Sequence, residues 1–295
     1  MPRSKPTITS VRNARVVAAR KLGQRKHRER QDRFLVEGLQ LLATAVERLA
    51  ECAAAEVRIR PLELFYCEEL FVGETAPRLL AALVDAGADA IPVAPHVLDT
   101  LSERETSQGL AATFACGALE NTLAGIGAAL APAPGLILIL DRLQDPGNLG
   151  TLIRTADAVG TRGIVLVEPC VDPFDPKTVR GTMGSLFSVP FARLDDPNDL
   201  WPCLADLGYR AVGADVHAGE TVWESDALCG SVALVLGNEA RGLGGDLRKE
   251  LTDAVRLPLL GGAESLNVSV AGGVLMYEWL RVNRGREGSD LRIAG

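Results

Sequence analysis

The sequence predicts an α/β fold in two domains, the second built on a parallel sheet. Three observations lead there. Helical and strand periodicities alternate along the chain. The strands of the second half are continuous apolar runs, as in sheets buried on both faces. A segment rich in Ala, Gly and Pro, residues 118–134, separates the halves as a linker.

The elements follow in order. Leu41, Leu42, Ala45, Val46 and Leu49 recur at helical spacing, and Leu62 to Cys67 reads as a strand. Pro77 to Ala86 predicts a helix, Ala90 to Ala94 a strand, Pro95 to Ser102 a helix and Leu110 to Cys116 a strand, closing a first domain over residues 35–117. The second domain, 135–284, restarts with the strand at 135–140. It continues with a helix from Asn148 to Val159, a strand from Gly163 to Val167 and a helix from Pro176 to Phe187. Strands are expected at Arg210 to Ala214, Ser231 to Gly237 and Ala254 to Leu257, before a final helix from Leu266 to Val282 and a frayed tail, 285–295.

Charge is distributed unevenly. Residues 1–34 hold eleven Lys or Arg against two acids, a net charge of +9, so the rest of the 295 residues carries −16 to reach the total of −7. This basic arm leading into the first domain is suited to a polyanion, with Arg25, Lys26, Arg28, Arg30 and Arg33 as the expected phosphate contacts; a merely solvated basic helix is the alternative. The arm has no aromatic residue before Phe34, so contact through the nucleic-acid backbone is expected rather than base stacking. No stretch is long and apolar enough for a membrane helix, and the start lacks a signal peptide's apolar core, so a soluble cytoplasmic protein is expected. The six Cys and three His are dispersed, which argues against a disulfide scaffold and against any metal site.

Ligands of parallel α/β sheets sit beyond the carboxyl ends of the strands, which directs attention to three loops. After Leu140, Asp145 and Pro146 are ordinary helix-start residues, whereas Asn148 and Arg154 are polar residues in an otherwise small, apolar helix and suit a phosphate. After Leu236, Gly237-Asn238-Glu239-Ala240-Arg241-Gly242 is glycine-rich but fits neither a dinucleotide nor a Walker pattern. Its glycines allow backbone to approach a flat ligand; Glu239 and Arg241 could equally form a surface ion pair. After Leu257, Ser265 stands where a helix N-cap belongs and Asn267 just inside.

Together the segments DPGNLGTLIRTADAVG, LVLGNEARGL and LPLLGGAESLNVSVAGGVLMYE resemble the three motifs of the SpoU (TrmH-like) RNA ribose 2′-O-methyltransferases, a family of the SPOUT superfamily, over about residues 135–283. FLVEGLQLLATAVE and SERETSQGLAATF resemble, more loosely, the substrate-binding domain of the rRNA-modifying branch, similar to small α/β/α ribosomal RNA-binding proteins. The resemblance implies a deep trefoil knot in the second domain, a homodimer that brings the first motif close to the site, and S-adenosylmethionine as cofactor. It implies Gly237, Leu257 and Leu266 as residues whose backbone meets the cofactor, with Leu236, Asn238 and Ser265 beside them. It also implies Asn148, Arg154, Glu239, Ser265 and Asn267 as the functional polar set.

The implied reaction is attack of a ribose 2′-hydroxyl on a sulfonium methyl, with rRNA the expected substrate. The separate front domain favours rRNA over tRNA; a non-catalytic RNA-binding or ribosome-assembly protein on the same fold is the other alternative. A guanidinium keeps its proton under ordinary conditions. Arg154 is therefore expected to bind the neighbouring phosphate and stabilise charge developing on the 2′-oxygen.

Overall fold

A computed structural model of the chain describes residues 5–51, 59–102, 107–122, 125–126, 134–239 and 241–284. The 285–295 tail, most of the 118–134 linker, residues 103–106 of the SERETSQGLAATF segment and Ala240 of the second motif lie outside the described residues. The chain forms two compact units, Met1–Glu120 with Asp172–Ser188, and Asn121–Val171 with Val189–Gly295.

The first unit contains helices α1 (Ala14–Arg20), α2 (Arg25–Gln31), α3 (Leu39–Glu51), α4 (Thr75–Asp85) and α5 (Pro95–Asp99). Its four strands are β1 (Arg33–Glu37), β2 (Pro61–Tyr66), β3 (Asp89–Pro92) and β4 (Leu110–Ala115). They run in the order β1-β4-β2-β3, with β4 antiparallel to both neighbours and β2 parallel to β3. Burial alternates along β1, where Phe34 and Val36 are buried and their neighbours partly exposed, as in a strand with one face on a core. Val16 and Ala19 of α1 join Phe65, Ile91, Val97 and Leu98 in one core cluster.

The basic arm is folded into this unit. Asn13 caps α1 by accepting from Arg15 N at 2.9 Å, Ile8 pairs with Val93, and Arg33 opens β1. Much of the arm's charge serves this folding. Arg15 pairs with Glu63 (2.7 Å) and Asp89 (2.6 Å), Lys5 with Asp89, and Arg33 with Glu63.

Pro176 to Phe187 departs from expectation twice. It forms a short helix, α7 (Pro176–Gly181), and a separate 3-10 turn (Ser185–Phe187), and it packs in the first unit. Gly184 breaks the run with φ +103, where a Cβ would lie 2.6 Å from Thr44. The pull is aromatic: Phe174 and Phe187 stack with Phe34 and Phe114 at centroid distances of 4.7–6.2 Å.

The second unit holds seven parallel strands in the order β7-β6-β5-β10-β8-β11-β9. They are β5 (Leu136–Asp141), β6 (Gly163–Val167), β7 (Phe191–Leu194), β8 (Arg210–Ala214), β9 (Glu220–Thr221), β10 (Val232–Leu236) and β11 (Asp253–Arg256). Both β5 and β10 are buried along their whole length, which is why their sequences lack alternation. The helices are α6 (Pro146–Ala158), α8 (Leu200–Asp206), α9 (Gly245–Lys249) and α10 (Val268–Arg284). Chain order reverses between β5 and β10, and Leu140 pairs in register with Leu236, so the loops after both strands leave from one sheet edge. α10 packs on α6 so closely that a Cβ on Gly272 would sit 2.6 Å from Leu152 and from Leu236.

Candidate active site

At that edge the three loops converge. Asp145 caps α6 by accepting from Asn148 N at 2.8 Å, and Pro146 occupies the first turn, so the helix begins with Asn148 facing the other two loops. The Asn148 side chain donates to Glu239 Oε1 at 3.0 Å and accepts from Asn267 Nδ2 at 2.9 Å. One polar residue from each motif thus joins a single hydrogen-bonded chain, Glu239–Asn148–Asn267, across as much as 119 positions of sequence. The surface ion pair between Glu239 and Arg241 does not form; Glu239 turns to Asn148, and Arg241 N donates to Asn238 Oδ1 at 3.1 Å.

The helix cap expected at Ser265 lies two residues later. Asn267 Oδ1 accepts from Ser269 N at 2.9 Å and Val270 N at 3.4 Å, and its carbonyl takes Ala271 N. Capping and the bond to Asn148 use different atoms of one amide, so the start of α10 fixes the direction in which Asn267 donates. Ser265 is thereby left in the loop.

Next to this chain lies a cleft of about 970 Å³. All six residues expected at a cofactor line it: Leu236, Gly237, Asn238, Leu257, Ser265 and Leu266. Glu239 and Asn267 line it too. Gly237 has no space for a side chain, since a Cβ would come within 2.3 Å of Gly242 backbone. The size and the mixture of leucines with a few polar groups are those of a small-molecule site. Glu264, Asp215, His217 and Arg248 also line the cleft and were not foreseen. Asp215 directly follows β8, so the rule of strand carboxyl ends, applied to one more strand, points to it. It accepts from His217 N at 3.0 Å and pairs with Arg248 at 2.8 Å.

Arg154 stands apart. It is exposed on α6, does not line the cleft, and forms no hydrogen bond or ion pair with the described residues. Six residues beyond Asn148, it points about 120° away around the helix. On α10, Val270, Val274 and Tyr277 form an exposed stripe, 41–54% accessible.

Burial first, and then Glu168, push the Cys170 thiol up to about 12, with Glu239 adding to the effect. It stays protonated and is no nucleophile. Among the described residues no group of three or more His, Cys, Asp or Glu is placed to hold a metal ion, and no helix is long and apolar enough to cross a membrane.

Of the five arm residues, Arg28 requires correction as a phosphate contact. It is 3% exposed and donates to Asp172 Oδ2 (2.8 Å from Nε) and to Leu22 O (2.7 Å). Arg33, tied to Glu63 and Gln31, is largely enclosed as well. Arg25 is exposed and pairs with Glu29 at 2.8 Å. Lys26 and Arg30 are exposed, as is Lys21. The His27 imidazole is lowered by desolvation and then by Lys26, Lys21 and Arg30, which marks those three as one positive cluster.

Residues 135–277 match the SpoU rRNA Methylase family, and residues 13–112 the MRM3-like substrate binding domain. The 23S rRNA (guanosine(2553)-2'-O)-methyltransferase RlmP of Bacillus subtilis is 32% identical over 270 residues, covering 92% of this chain and 97% of that one. The chain belongs to the SpoU rRNA methylase family. Another relative, the 23S rRNA (uridine(2479)-2'-O)-methyltransferase of Streptomyces viridochromogenes, is 31% identical over 88% of this chain and 86% of its own. Among solved structures, the AdoMet-bound rRNA methyltransferase from Sinorhizobium meliloti superposes with a TM-score of 0.81 at 32% identity, over 94% of this SpoU chain and 97% of its own.

Proposed function

We propose that the protein methylates the 2′-hydroxyl of a ribose in large-subunit rRNA, using S-adenosylmethionine. The observation that carries this reading is the Glu239–Asn148–Asn267 chain beside the leucine-lined cleft, together with relatives whose activity is 23S rRNA 2′-O-methylation. Bound S-adenosylmethionine supplies an activated sulfonium methyl group. Leu236, Leu257 and Leu266 enclose the cofactor, the backbone beside Gly237 meets its flat portion, and Asn238 and Ser265 satisfy polar atoms at the cleft wall. Asn148, held on both sides, keeps its second amide N–H for the ribose or its phosphate, and Glu239 fixes that orientation. Alignment of oxygen and methyl supplies much of the rate, because the donor is already activated.

Arg154 completes the site from a second copy of the chain. Its exposure, its absence from the cleft of its own chain and the apolar stripe on α10 support a homodimer in which it contacts the target phosphate and stabilises charge on the 2′-oxygen. A deep trefoil knot at the carboxyl end of the second domain belongs to the same reading. Lys21, Lys26 and Arg30 of the front unit hold RNA through phosphates, and a cytoplasmic location belongs to the same reading.

The test is incubation of the protein with methyl-labelled S-adenosylmethionine and either unmodified rRNA or tRNA. Alkali-resistant label in rRNA is expected from the wild type, with at least about a hundredfold loss in Arg154→Ala, as for loss of one group stabilising transition-state charge. Label in tRNA alone, or equal labelling by Arg154→Ala, would overturn the substrate or the role of Arg154 respectively. Substantial turnover by Arg154→Lys with a shifted pH profile would make the side chain a base.

A further inference from the structure

Asp141 ends β5 and is fully buried, yet it belongs neither to the cleft wall nor to the Glu239–Asn148–Asn267 chain. A buried carboxylate is unfavourable unless its oxygens are satisfied. Here both are. Asp141 Oδ2 accepts from Gly244 N at 2.8 Å, and the two oxygens receive Arg142 Nε at 2.7 Å and Nη2 at 2.9 Å in a bidentate pair.

Arg142 itself has φ +54, a left-handed conformation that side-chain-bearing residues seldom adopt. In that conformation its carbonyl accepts from Asn238 Nδ2 at 2.8 Å. Asn238 in turn exchanges two backbone hydrogen bonds with Gly242, at 3.0 and 2.9 Å. Asn238 and Gly244 are thus held by two consecutive residues, the last of β5 and the one after it: Asn238 through Arg142 and Gly244 through Asp141. The fit is close, since a Cβ on Gly244 would lie 2.5 Å from Arg142 Nη2. Strain retained beside a functional site indicates a position the surroundings over-determine.

We propose that Asp141 and Arg142 are positioning residues for methyl transfer, a clamp that sets Asn238 and Gly244 in the arrangement that receives the cofactor. The inference rests on reading the adjoining cleft as the S-adenosylmethionine site. The clamp acts through Asn238 and Gly244, so its loss changes cofactor affinity and leaves the phosphate contacts of Lys21, Lys26 and Arg30 in the front unit in place.

Binding of S-adenosylhomocysteine to the full-length protein, measured by calorimetry without RNA, tests it. Arg142→Ala and Gly244→Ala are each expected to weaken binding about tenfold, the scale of one charge-assisted hydrogen bond. RNA affinity should be unchanged; Arg142→Ala should also lower the unfolding midpoint of the ligand-free protein, because it leaves the buried Asp141 carboxylate without its guanidinium, whereas Gly244→Ala should keep the midpoint within about 2 °C. Arg142→Gly, which relieves the backbone but lacks the guanidinium, should match Arg142→Ala, and Arg142→Lys should recover part of the loss. Wild-type affinity in both Arg142→Ala and Gly244→Ala overturns the proposal. So does a loss accompanied, in both variants, by equal weakening of RNA binding and a lowered midpoint, which would assign the pair to general folding. Absence of binding by the wild type overturns the reading of the cleft itself, a different failure.

Discussion

Two residues apart in one helix, Lys26 and Arg28 have opposite fates, and the difference is measurable. Arg28 is buried against Asp172, with Asp175 a further 3.8 Å partner, so its removal leaves buried carboxylate charge without compensation. Arg28→Ala is expected to destabilise the first unit by about 3–5 kcal/mol in thermal or urea unfolding. Lys26→Ala and Arg30→Ala should leave stability within about 0.5 kcal/mol. Each should instead reduce the slope of log affinity for RNA against log salt by about one. A flat salt response in the wild type would count against the cluster. Sequence alone gave both residues the same role, because a charge run carries no sign of which member meets a buried acid 144 positions away.

The same limit operates on elements. The α/β alternation, the apolar strands β5, β6 and β10 and the three loops after β5, β10 and β11 were legible, because each depends on local periodicity or on short motifs. The short segments β7, β9, α8 and α9 carry too few residues for a period to emerge, and the placement of Pro176 to Phe187 depends on aromatic partners at Phe34 and Phe114. The amino-terminal segment is bound to β3 by charge. Lys5 and then Arg15, each hydrogen-bonded to Asp89, hold its carboxyl below the usual range. A carboxylate lowered in the folded state contributes stability above its unfolded value and loses that contribution as pH falls through the folded one. Thermal midpoints measured from neutral pH to about pH 2 should therefore fall less steeply in Asp89→Asn than in the wild type, although the variant starts lower at neutral pH. An unchanged acid slope would show that Asp89 adds nothing.

At the scale of the whole molecule, the motifs were more legible than the assembly that uses them. The Glu239–Asn148–Asn267 chain closes within one copy, whereas Arg154 points away from it, so the proposed site divides its residues between two copies. Division of this kind has an arithmetic signature. Arg154→Ala and Asn267→Ala are each expected to be nearly inactive alone. Mixed equally and allowed to exchange subunits, they form heterodimers in about half of the population. In each heterodimer one cleft keeps its own Asn267 and receives an intact Arg154 from the other copy, while the opposite cleft lacks both. One working site in two, in half of the dimers, returns about a quarter of wild-type methyl transfer per chain. If Arg154 served the cleft of its own chain, every site in the mixture would carry one of the two substitutions, and no activity would return. Val274→Asp, placed in the exposed α10 stripe, should abolish the recovery by preventing association, and sedimentation of the same samples would show monomers.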